Sequence, residues 1–375
     1  MKLQRKNRLR ALSLGALAVT GALALTACGS DDTGTNGGSS GGPSAKAGNI
    51  KCDDAKGQLL GSGSSAQANA IDAWRKAYSQ ACSGVQINYK PDGSGAGIEA
   101  FNQGQVAFAG SDSPLKPEEV AASKKVCKTG QGIDLPMVGG PIAVAYNLDG
   151  VDNLVLDAPT LAKIFDSKIT KWDDAAIKKL NPDAKLPSTK IQAFHRSEES
   201  GTTDNFTKYL GAAAKSDWKY EHGKAWMAKD GQSAQGSSGV AQQVKQTAGA
   251  IGYMELSYAK GMNTVDIATG AASPVKATTD NASKAIADAK IVGSGKDLSL
   301  ELNYGTKAEG AYPIVLVTYE IACDKGNKAE TLAATKSFLT YMASDEGQAS
   351  LADLGYAPIP AEINAKVRET VAGLS

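Results

Sequence analysis

Three times in the first 115 residues, a short apolar run ends in a turn rich in glycine and serine, and a helical pattern follows. The runs are Gln58–Gly61, Val85–Tyr89 and Val106–Ala109, and the turns read GSGSS at 61–65, PDGSGAG at 91–97 and GSDSP at 110–114. Strands that alternate with helices through short glycine turns predict an α/β fold with mainly parallel sheets. In such sheets ligands bind beyond the carboxyl ends of the strands, so we expect all three turns at one binding edge.

The length of the chain suits two lobes. Its 375 residues exceed one ordinary hydrophobic core, since domains hold roughly 100–200 residues. We expect the chain to cross between lobes in the apolar run Ile142–Tyr146 and to return in Pro313–Ala322. The predicted first lobe is therefore residues 50–141 plus 313–375, and the second is 142–312. The 40 basic and 39 acidic side chains nearly cancel, so no global field attracts nucleic acid, and the binding site must be local.

The first 28 residues have the pattern of an export signal. A basic segment within Lys2–Arg10 precedes the apolar stretch Ala11–Leu25, which has the length of a signal-peptide core and is too short for a stable span. The sequence LTAC that ends at Cys28 resembles a bacterial lipobox, with cleavage before Cys28 and a lipid on its thiol. A plain signal peptide with a chance cysteine is the alternative. Residues 29–49, rich in glycine and serine, predict a flexible tether to the outer face of a membrane.

Four further cysteines predict two disulfides in an exported chain. They are Cys52, Cys82, Cys127 and Cys323. Three pairings are possible, and we favour Cys52 with Cys82 and Cys127 with Cys323, although spacing alone does not decide between them. A metal site is the alternative, but no C-x-x-C pattern occurs and only two histidines could assist.

Helical periodicity predicts four more helices in the rest of the chain. A long helix is expected over Pro159–Leu180, with Trp172 in its apolar face, and the others over Ser238–Thr247, Glu330–Ala343 and Ala361–Val371. Residues 261–300 show a mixed pattern without clear periodicity, which predicts neither a helix nor a strand.

The stretch FHRSEESGTTDN at 194–205 predicts an oxyanion site. Arg196 ends an apolar run, and Ser200, Gly201 and Thr202 follow at the expected start of a helix. A helix N-terminus leaves backbone N–H groups without partners and carries partial positive charge. Arginine adds a planar fork of donors that matches an oxyanion.

Asp112 distinguishes between candidate anions. One interpretation is a helix cap before Pro114; the other is a carboxylate that faces the bound anion. A carboxylate there repels a fully ionised oxyanion, whereas monohydrogen phosphate brings a proton that it can donate. A buried acceptor without a partner costs a few kcal/mol, so Asp112 predicts selection of phosphate over sulfate.

Catalytic motifs are weak in this sequence. Ser113–Lys116 fits S-x-x-K and Lys128–Gly130 fits K-T-G, but they lie too close together for a penicillin-recognising enzyme and no S-D-N separates them. Neither a G-x-S-x-G elbow nor a P-loop occurs. His195 has no evident triad partner and is interpreted as structural, and His222 as a solvated surface residue. Donors without a nucleophile favour binding, and an exported phosphatase remains the alternative from another class.

Six stretches together resemble the PstS family, the phosphate-binding proteins of bacterial phosphate ABC transporters. They read GSGSS at 61–65, DGSGAG at 92–97, AGSDSPL at 109–115, KITKWDDAAIKKLNP at 168–182, HRSEESGTTDNF at 195–206 and GAIGYMEL at 249–256. The resemblance spans nearly all of residues 57–375. It implies an α/β, two-lobed class II solute-binding protein fold with a hinged ligand cleft. It also implies a monomer that needs no cofactor and delivers phosphate to permease subunits in the membrane.

The resemblance assigns phosphate-binding roles to eight positions. Hydroxyls and backbone N–H groups, the acceptor Asp112 and the cation Arg196 would surround the anion; the residues are Ser65, Ala66, Ser94, Asp112, Arg196, Ser200, Gly201 and Thr202. The chain departs from the family pattern at Glu198 and Glu199, where relatives often have Asp-Gly. We expect Glu198 still to pair with Arg196. Glu199 replaces a glycine, so the backbone angle that the glycine allows in this turn is in doubt here. The same fold with sulfate or molybdate is the alternative.

Overall fold

The computed structural model describes residues 50–375. The predicted export signal, Cys28 and the tether of residues 29–49 lie outside this range. The strands are β1 Gly57–Gly63, β2 Val85–Lys90, β3 Phe108–Ser111, β4 Gly132–Tyr146, β5 Val155–Asp157, β6 Gln192–Arg196, β7 Gln232–Ala234, β8 Ala250–Glu255, β9 Asn263–Thr264, β10 Asp266–Ala268, β11 Lys290–Ile291, β12 Leu300–Glu301 and β13 Val315–Cys323.

Helices follow most of the major strands, as the alternating pattern predicts. They are α1 Ala68–Ala81, α2 Ser94–Asn102, α3 Pro117–Cys127, α4 Ala158–Phe165, α5 Ala175–Leu180, α6 Gly201–Ala213, α7 Gly236–Gln246, α8 Thr279–Ala287, α9 Ala329–Met342, α10 Asp345–Ala349 and α11 Ala361–Ala372. Among residues 50–375, no helix combines the length and the apolar character that crossing a membrane requires.

One mixed sheet runs through both halves of the fold in the order β2-β1-β3-β13-β4-β8-β6-β7. β1 is parallel to β2 and β3, and β6 is parallel to β7 and β8. β4 is buried along its entire length. Its partner is antiparallel β13 as far as Pro141 and antiparallel β8 from Ile142 onward. The central strand therefore changes partners at the point where the sequence predicts a crossing.

Two large hydrophobic clusters lie on either side of this change of partner. One contains Trp74 of α1 and Phe338 of α9, and the other contains Trp172 and Phe206. β13 has the β-branched, apolar composition of a fully buried strand, and all nine of its residues are buried. Each half of the sheet is thus covered by its own helices.

The prediction of one helix over Pro159–Leu180 is wrong. α4 ends at Phe165, Ser167 has a positive φ of 54°, and α5 begins only at Ala175 after the N-cap Asp174. A positive φ cannot continue a right-handed helix. Trp172 is buried as expected, but it lies in the connection, where its backbone N–H donates to Thr189.

Both predicted disulfides are confirmed. Cys52 pairs with Cys82 before and after the β1–α1 unit, and Cys127 pairs with Cys323, joining the end of α3 to the end of β13. The bonds close segments of 30 and 196 residues, respectively. Cross-linking a longer segment removes more entropy from the unfolded chain.

Removing the Cys127–Cys323 bond should therefore destabilise the protein more than removing Cys52–Cys82. Replacing each pair with serine should lower the free energy of unfolding by about 2–5 kcal/mol, with the longer closed segment costing roughly 1.7 kcal/mol more. Guanidinium unfolding of the two double variants, followed by circular dichroism, measures the difference. An equal or reversed order would show that native-state contacts around the bonds outweigh chain entropy.

Candidate functional site

The eight predicted anion-binding residues come from the carboxyl ends of β1, β3 and β6 and from the starts of α2 and α6. All are buried: Ser65, Ala66, Ser94, Asp112, Arg196, Ser200, Gly201 and Thr202. We call these eight residues the polar cluster. Three strand ends and two helix starts meet here, which is the geometry expected of a ligand site in an α/β sheet.

Hydrogen bonds join the two halves of the polar cluster. Arg196 Nη2 donates to Ser65 Oγ over 2.8 Å, and Thr202 Oγ1 donates to Asp112 Oδ2 over 3.0 Å. The backbone N–H of Gly201 donates to Ser94 Oγ over 3.0 Å. The site predicted from separate sequence stretches is therefore one contiguous buried network.

The hydroxyls of Ser65 and Ser94 have only their protons free for a hydrogen bond to a ligand. Ser65 Oγ accepts from Arg196 and from the N–H of Ser237, and Ser94 Oγ accepts from the N–H groups of Gly201 and Asp112. A serine hydroxyl has two acceptor lone pairs and one donor proton. Because both lone pairs are occupied in each case, these hydroxyls can act on a ligand only as donors.

Two of the predicted backbone donors bond to groups outside the polar cluster. The N–H of Ala66 donates to Ser64 Oγ over 3.1 Å, and the N–H of Ser200 donates to the Lys224 carbonyl over 2.9 Å. Ser200 Oγ caps α6 by accepting from the N–H of Thr203. Ser200 can thus donate its hydroxyl proton to a ligand. Its N–H cannot, because it is bonded to the Lys224 carbonyl.

Asp112 accepts hydrogen bonds from three hydroxyls. Ser64 and Thr318 donate to Oδ1, and Thr202 donates to Oδ2. The helix-cap interpretation is wrong, because the capping residue of α3 is Lys116. Burial raises the pKa of Asp112, and the hydrogen bonds together with the Arg196 charge oppose that rise. With Oδ1 saturated, Oδ2 keeps one lone pair that can accept a proton from a ligand.

Arg196 is held in place by Glu198, as predicted. Its Nε donates to Glu198 Oε1 over 2.8 Å, its Nη2 contacts the same oxygen, and its Nη1 donates to Thr202 Oγ1 over 3.2 Å. The arginine side chain is only 1% exposed. Glu199 is not among the residues with positive φ, so the loss of a glycine there strains nothing, and its carbonyl accepts from the N–H of Gly95.

Gly201 permits the close approach of α6 to the opposite side of the cluster. A Cβ at this position would lie 2.6 Å from Asp112 Cβ and 2.7 Å from Ser94 Oγ, closer than real Cβ atoms come. Any side chain here would push α6 away from Ser94. The glycine is therefore required by packing rather than by its backbone angle.

Further contacts close the site around the polar cluster. Ser113 Oγ donates to Asp204 Oδ2 over 2.6 Å, and the buried Lys224 pairs with Glu119 of α3. Burial raises the pKa of Asp204, but hydrogen bonds from His222, Lys208 and Ser113 outweigh it and hold this pKa well below its usual range. His222 is exposed, as predicted, yet it also anchors Asp204.

His195 stacks on Trp226 with ring centroids 4.8 Å apart, which supports its structural interpretation.

Some residues that sequence reasoning missed hydrogen-bond to side chains of the polar cluster. Ser64 and Thr318 orient Asp112, and Ser237 binds Ser65. Ser64 belongs to the GSGSS turn and could have been found by its position beside Ser65. Thr318 lies 206 residues from Asp112 on a strand read only as apolar, and no local signal reveals it.

Glu320, a buried carboxyl on β13, was also missed by sequence reasoning, and it feels the charge of Asp112. It is fully buried, and neither carboxyl oxygen has a hydrogen-bond partner within residues 50–375, although the nearby Gln67 amide still favours the charged form. Burial raises the pKa of Glu320, the Gln67 amide lowers it and the Asp112 charge raises it, so that the net pKa is about 8. The folded protein therefore retains a proton that the unfolded chain releases above its ordinary pKa of 4.5.

Replacing Glu320 with glutamine should make the protein more stable than wild type at alkaline pH. The stability contributed by the protonated carboxyl is present below pH 4.5 and is lost as the pH rises through about 8. Glutamine has no such loss, so its advantage should grow across this window, by about 1.4 kcal/mol for each unit of pKa shift. Urea unfolding at pH 5, 7 and 9 measures it, with the exposed Glu301→Gln as control. An advantage independent of pH would contradict the buried-proton explanation.

Comparison with known proteins agrees with this architecture. Residues 52–346 match a family model described as a PBP superfamily domain. The chain is 44% identical over 365 residues to phosphate-binding protein PstS 3 of Mycobacterium tuberculosis, covering 96% of this chain and 97% of that protein. It is 34% identical over 309 residues to PstS of Xylella fastidiosa, covering 81% and 82%.

A solved structure supports the same fold. A high-affinity periplasmic phosphate-binding protein, solved with bound phosphate, superposes with a TM-score of 0.69 at 22% identity, covering 83% of this chain and 93% of that one. The α/β architecture is thus that of a two-lobed solute-binding protein, as predicted. On the similarity of its whole sequence, the chain belongs to the PstS family of phosphate-binding proteins.

Proposed function

We propose that this protein binds inorganic phosphate in the polar cluster and delivers it to the permease subunits of a phosphate ABC transporter. The observation that carries the proposal is the environment of Asp112. Three hydroxyls already donate to this carboxylate, and the groups around it that can reach a ligand are donors. Such a site suits an anion that accepts many hydrogen bonds and donates one, as monohydrogen phosphate does.

The charges of the cluster favour the same ligand. Arg196 is neutralised by Glu198, and Asp112 adds a negative charge, so the bound anion is held mainly by hydrogen bonds and helix starts rather than by net charge. Sulfate or molybdate would face Asp112 without a proton to share. A phosphatase would need an activated nucleophile, and the hydroxyls of Ser65 and Ser94 are poorly suited to attack because N–H donors already occupy their lone pairs.

Closure of two lobes completes the proposed mechanism. We assign residues 50–141 and 313–375 to the first lobe and 142–312 to the second. The change of β4 partner at Pro141 and Ile142 supports the first crossing. Ser65, Ser94 and Asp112 then belong to one lobe and Arg196 through Thr202 to the other, so a single phosphate contacts both. The hinge shifts toward the closed state because these contacts exist together only there.

Export and anchoring are further parts of the proposal. The basic and apolar segments of residues 1–25 and the LTAC sequence support a lipoprotein held on the outer face of the membrane through Cys28. The two disulfides fit an oxidising, extracytoplasmic location. We expect a monomer, as the family resemblance implies.

Calorimetric titration of the full chain in mild detergent, with phosphate and separately with sulfate at neutral pH, tests the function. We expect one-to-one phosphate binding with a dissociation constant of about 1 μM or tighter, equivalent to about 8 kcal/mol, and no heat with sulfate. Sulfate binding without phosphate binding would keep the fold and overturn the ligand. Hydrolysis of a chromogenic phosphomonoester would instead support the phosphatase alternative.

A further inference from the structure

The start of α7 meets the polar cluster beside Ser65, and no sequence motif predicts a role for it there. The N–H of Ser237 donates to Ser65 Oγ over 3.0 Å, and the N–H of Gly236 donates to Glu198 Oε1 over 3.1 Å. The first turn of α7 contains no acidic residue, and its N-cap side chain makes no capping bond. The positive end of this eleven-residue helix therefore acts on the serine and the glutamate that position Arg196.

Ser237 also carries a hydroxyl that the protein itself does not use. The residue is completely buried, and its Oγ has no hydrogen-bond partner within residues 50–375. A buried hydroxyl without a partner costs free energy, and buried polar side chains nearly always find one. The backbone N–H of the same residue binds Ser65 Oγ, so the residue that carries this hydroxyl is in direct contact with the polar cluster.

We propose that Ser237 is a ninth phosphate-binding residue whose hydroxyl donates to the bound anion, an inference that rests on the proposed function. Its N–H occupies one lone pair of Ser65 and so directs the Ser65 proton toward the ligand. Its own proton adds another donor from a fourth helix start, alongside those of α2, α6 and the turn after β1. Phosphate binding would then satisfy a polar group that otherwise remains unpaired.

This role predicts opposite effects of one substitution on stability and on binding. Ser237→Ala removes the unpaired hydroxyl and keeps the N–H that holds Ser65. The variant without phosphate should therefore unfold at the same temperature as wild type or higher. Its phosphate affinity should fall by roughly 10- to 150-fold, the usual effect of losing one hydrogen bond to a charged group. A purely structural serine would show lower thermal stability without the ligand.

The experiment uses the full chain in mild detergent as wild type, Ser237→Ala and the control Ser238→Ala, which removes an exposed hydroxyl from the next position. Calorimetry gives the phosphate affinity of each, and thermal unfolding with and without phosphate gives the ligand-induced shift. We expect weaker binding and a smaller shift for Ser237→Ala alone, with no loss of stability in the absence of phosphate.

Three results would overturn the inference, and they are distinguishable. If wild type binds phosphate and Ser237→Ala binds it equally well, the ninth residue is refuted while the proposed function stands. If Ser237→Ala is destabilised without phosphate in proportion to its lost affinity, Ser237 is structural. If wild type itself gives no binding, the proposed function fails and the inference fails with it.

Discussion

Arg196→Ala should reduce phosphate affinity at least 100-fold. Arg196 is the cation of the polar cluster, and its guanidinium also holds Ser65 and Thr202 in place. Removing one partner of a buried, hydrogen-bonded charge pair costs about 3–5 kcal/mol. The substitution would also leave Glu198 without its cation, so the site would present two carboxylates, Asp112 and Glu198, to an incoming anion. Calorimetric titration with phosphate measures the loss.

Two variants show whether the effect belongs to the guanidinium in this position. Arg196→Lys keeps the charge but cannot reach Glu198, Ser65 and Thr202 together, so its affinity should lie between those of wild type and Arg196→Ala. Arg75→Ala removes an arginine from an exposed pair with Asp72 and should bind phosphate as wild type does. If Arg196→Ala kept its affinity within tenfold, the anion would bind elsewhere.

The strand ends and helix starts of the fold were predictable because their signals are local. The GSGSS stretch at 61–65 spans the end of β1 and the turn after it, and Ser94 begins α2, as the glycine-rich turns and apolar runs indicate. The single helix predicted over Pro159–Leu180 is interrupted at Ser167, which has a positive φ. Hydrophobic periodicity carries no information about that backbone angle, so the sequence pattern does not reveal the break.

The candidate site was predictable only where its members lie in turns. Asp112 and Arg196 stand directly at or after strand ends, so the rule that ligands bind at this edge finds them. Thr318 and Glu320 lie inside β13, where the sequence reads as one apolar strand. Their roles depend on the pairing of β13 with β3, a contact between distant segments that periodicity along one chain cannot reveal.

The burial of Glu320 also determines how much negative charge this site carries. A carboxyl in a buried strand would ordinarily need a partner, and this one has no close partner among the described residues. Its raised pKa removes the charge instead. With Glu320 neutral near pH 7, Asp112 is the carboxylate that meets the ligand, and the negative charge near it is kept small.

Asp112→Asn should largely abolish the discrimination between phosphate and sulfate. Asparagine keeps an oxygen for the hydroxyls of Ser64 and Thr318, and its amide can donate to Thr202 Oγ1, so the network can re-form with one bond reversed. Sulfate would no longer face a carboxylate, and phosphate would lose the acceptor of its proton. Each change amounts to about 1–3 kcal/mol, so the ratio of the two affinities should fall by at least about 30-fold.

Competition calorimetry with phosphate and sulfate on wild type and Asp112→Asn measures that ratio. Asp92→Asn is the matched control, because Asp92 also follows a strand of the first sheet half but bonds to Ser62 and Lys90 outside the polar cluster. The control should keep the wild-type ratio. If Asp112→Asn still rejected sulfate as strongly as wild type, selectivity would come from the geometry of the donors, and the proton of phosphate would not be what the site recognises.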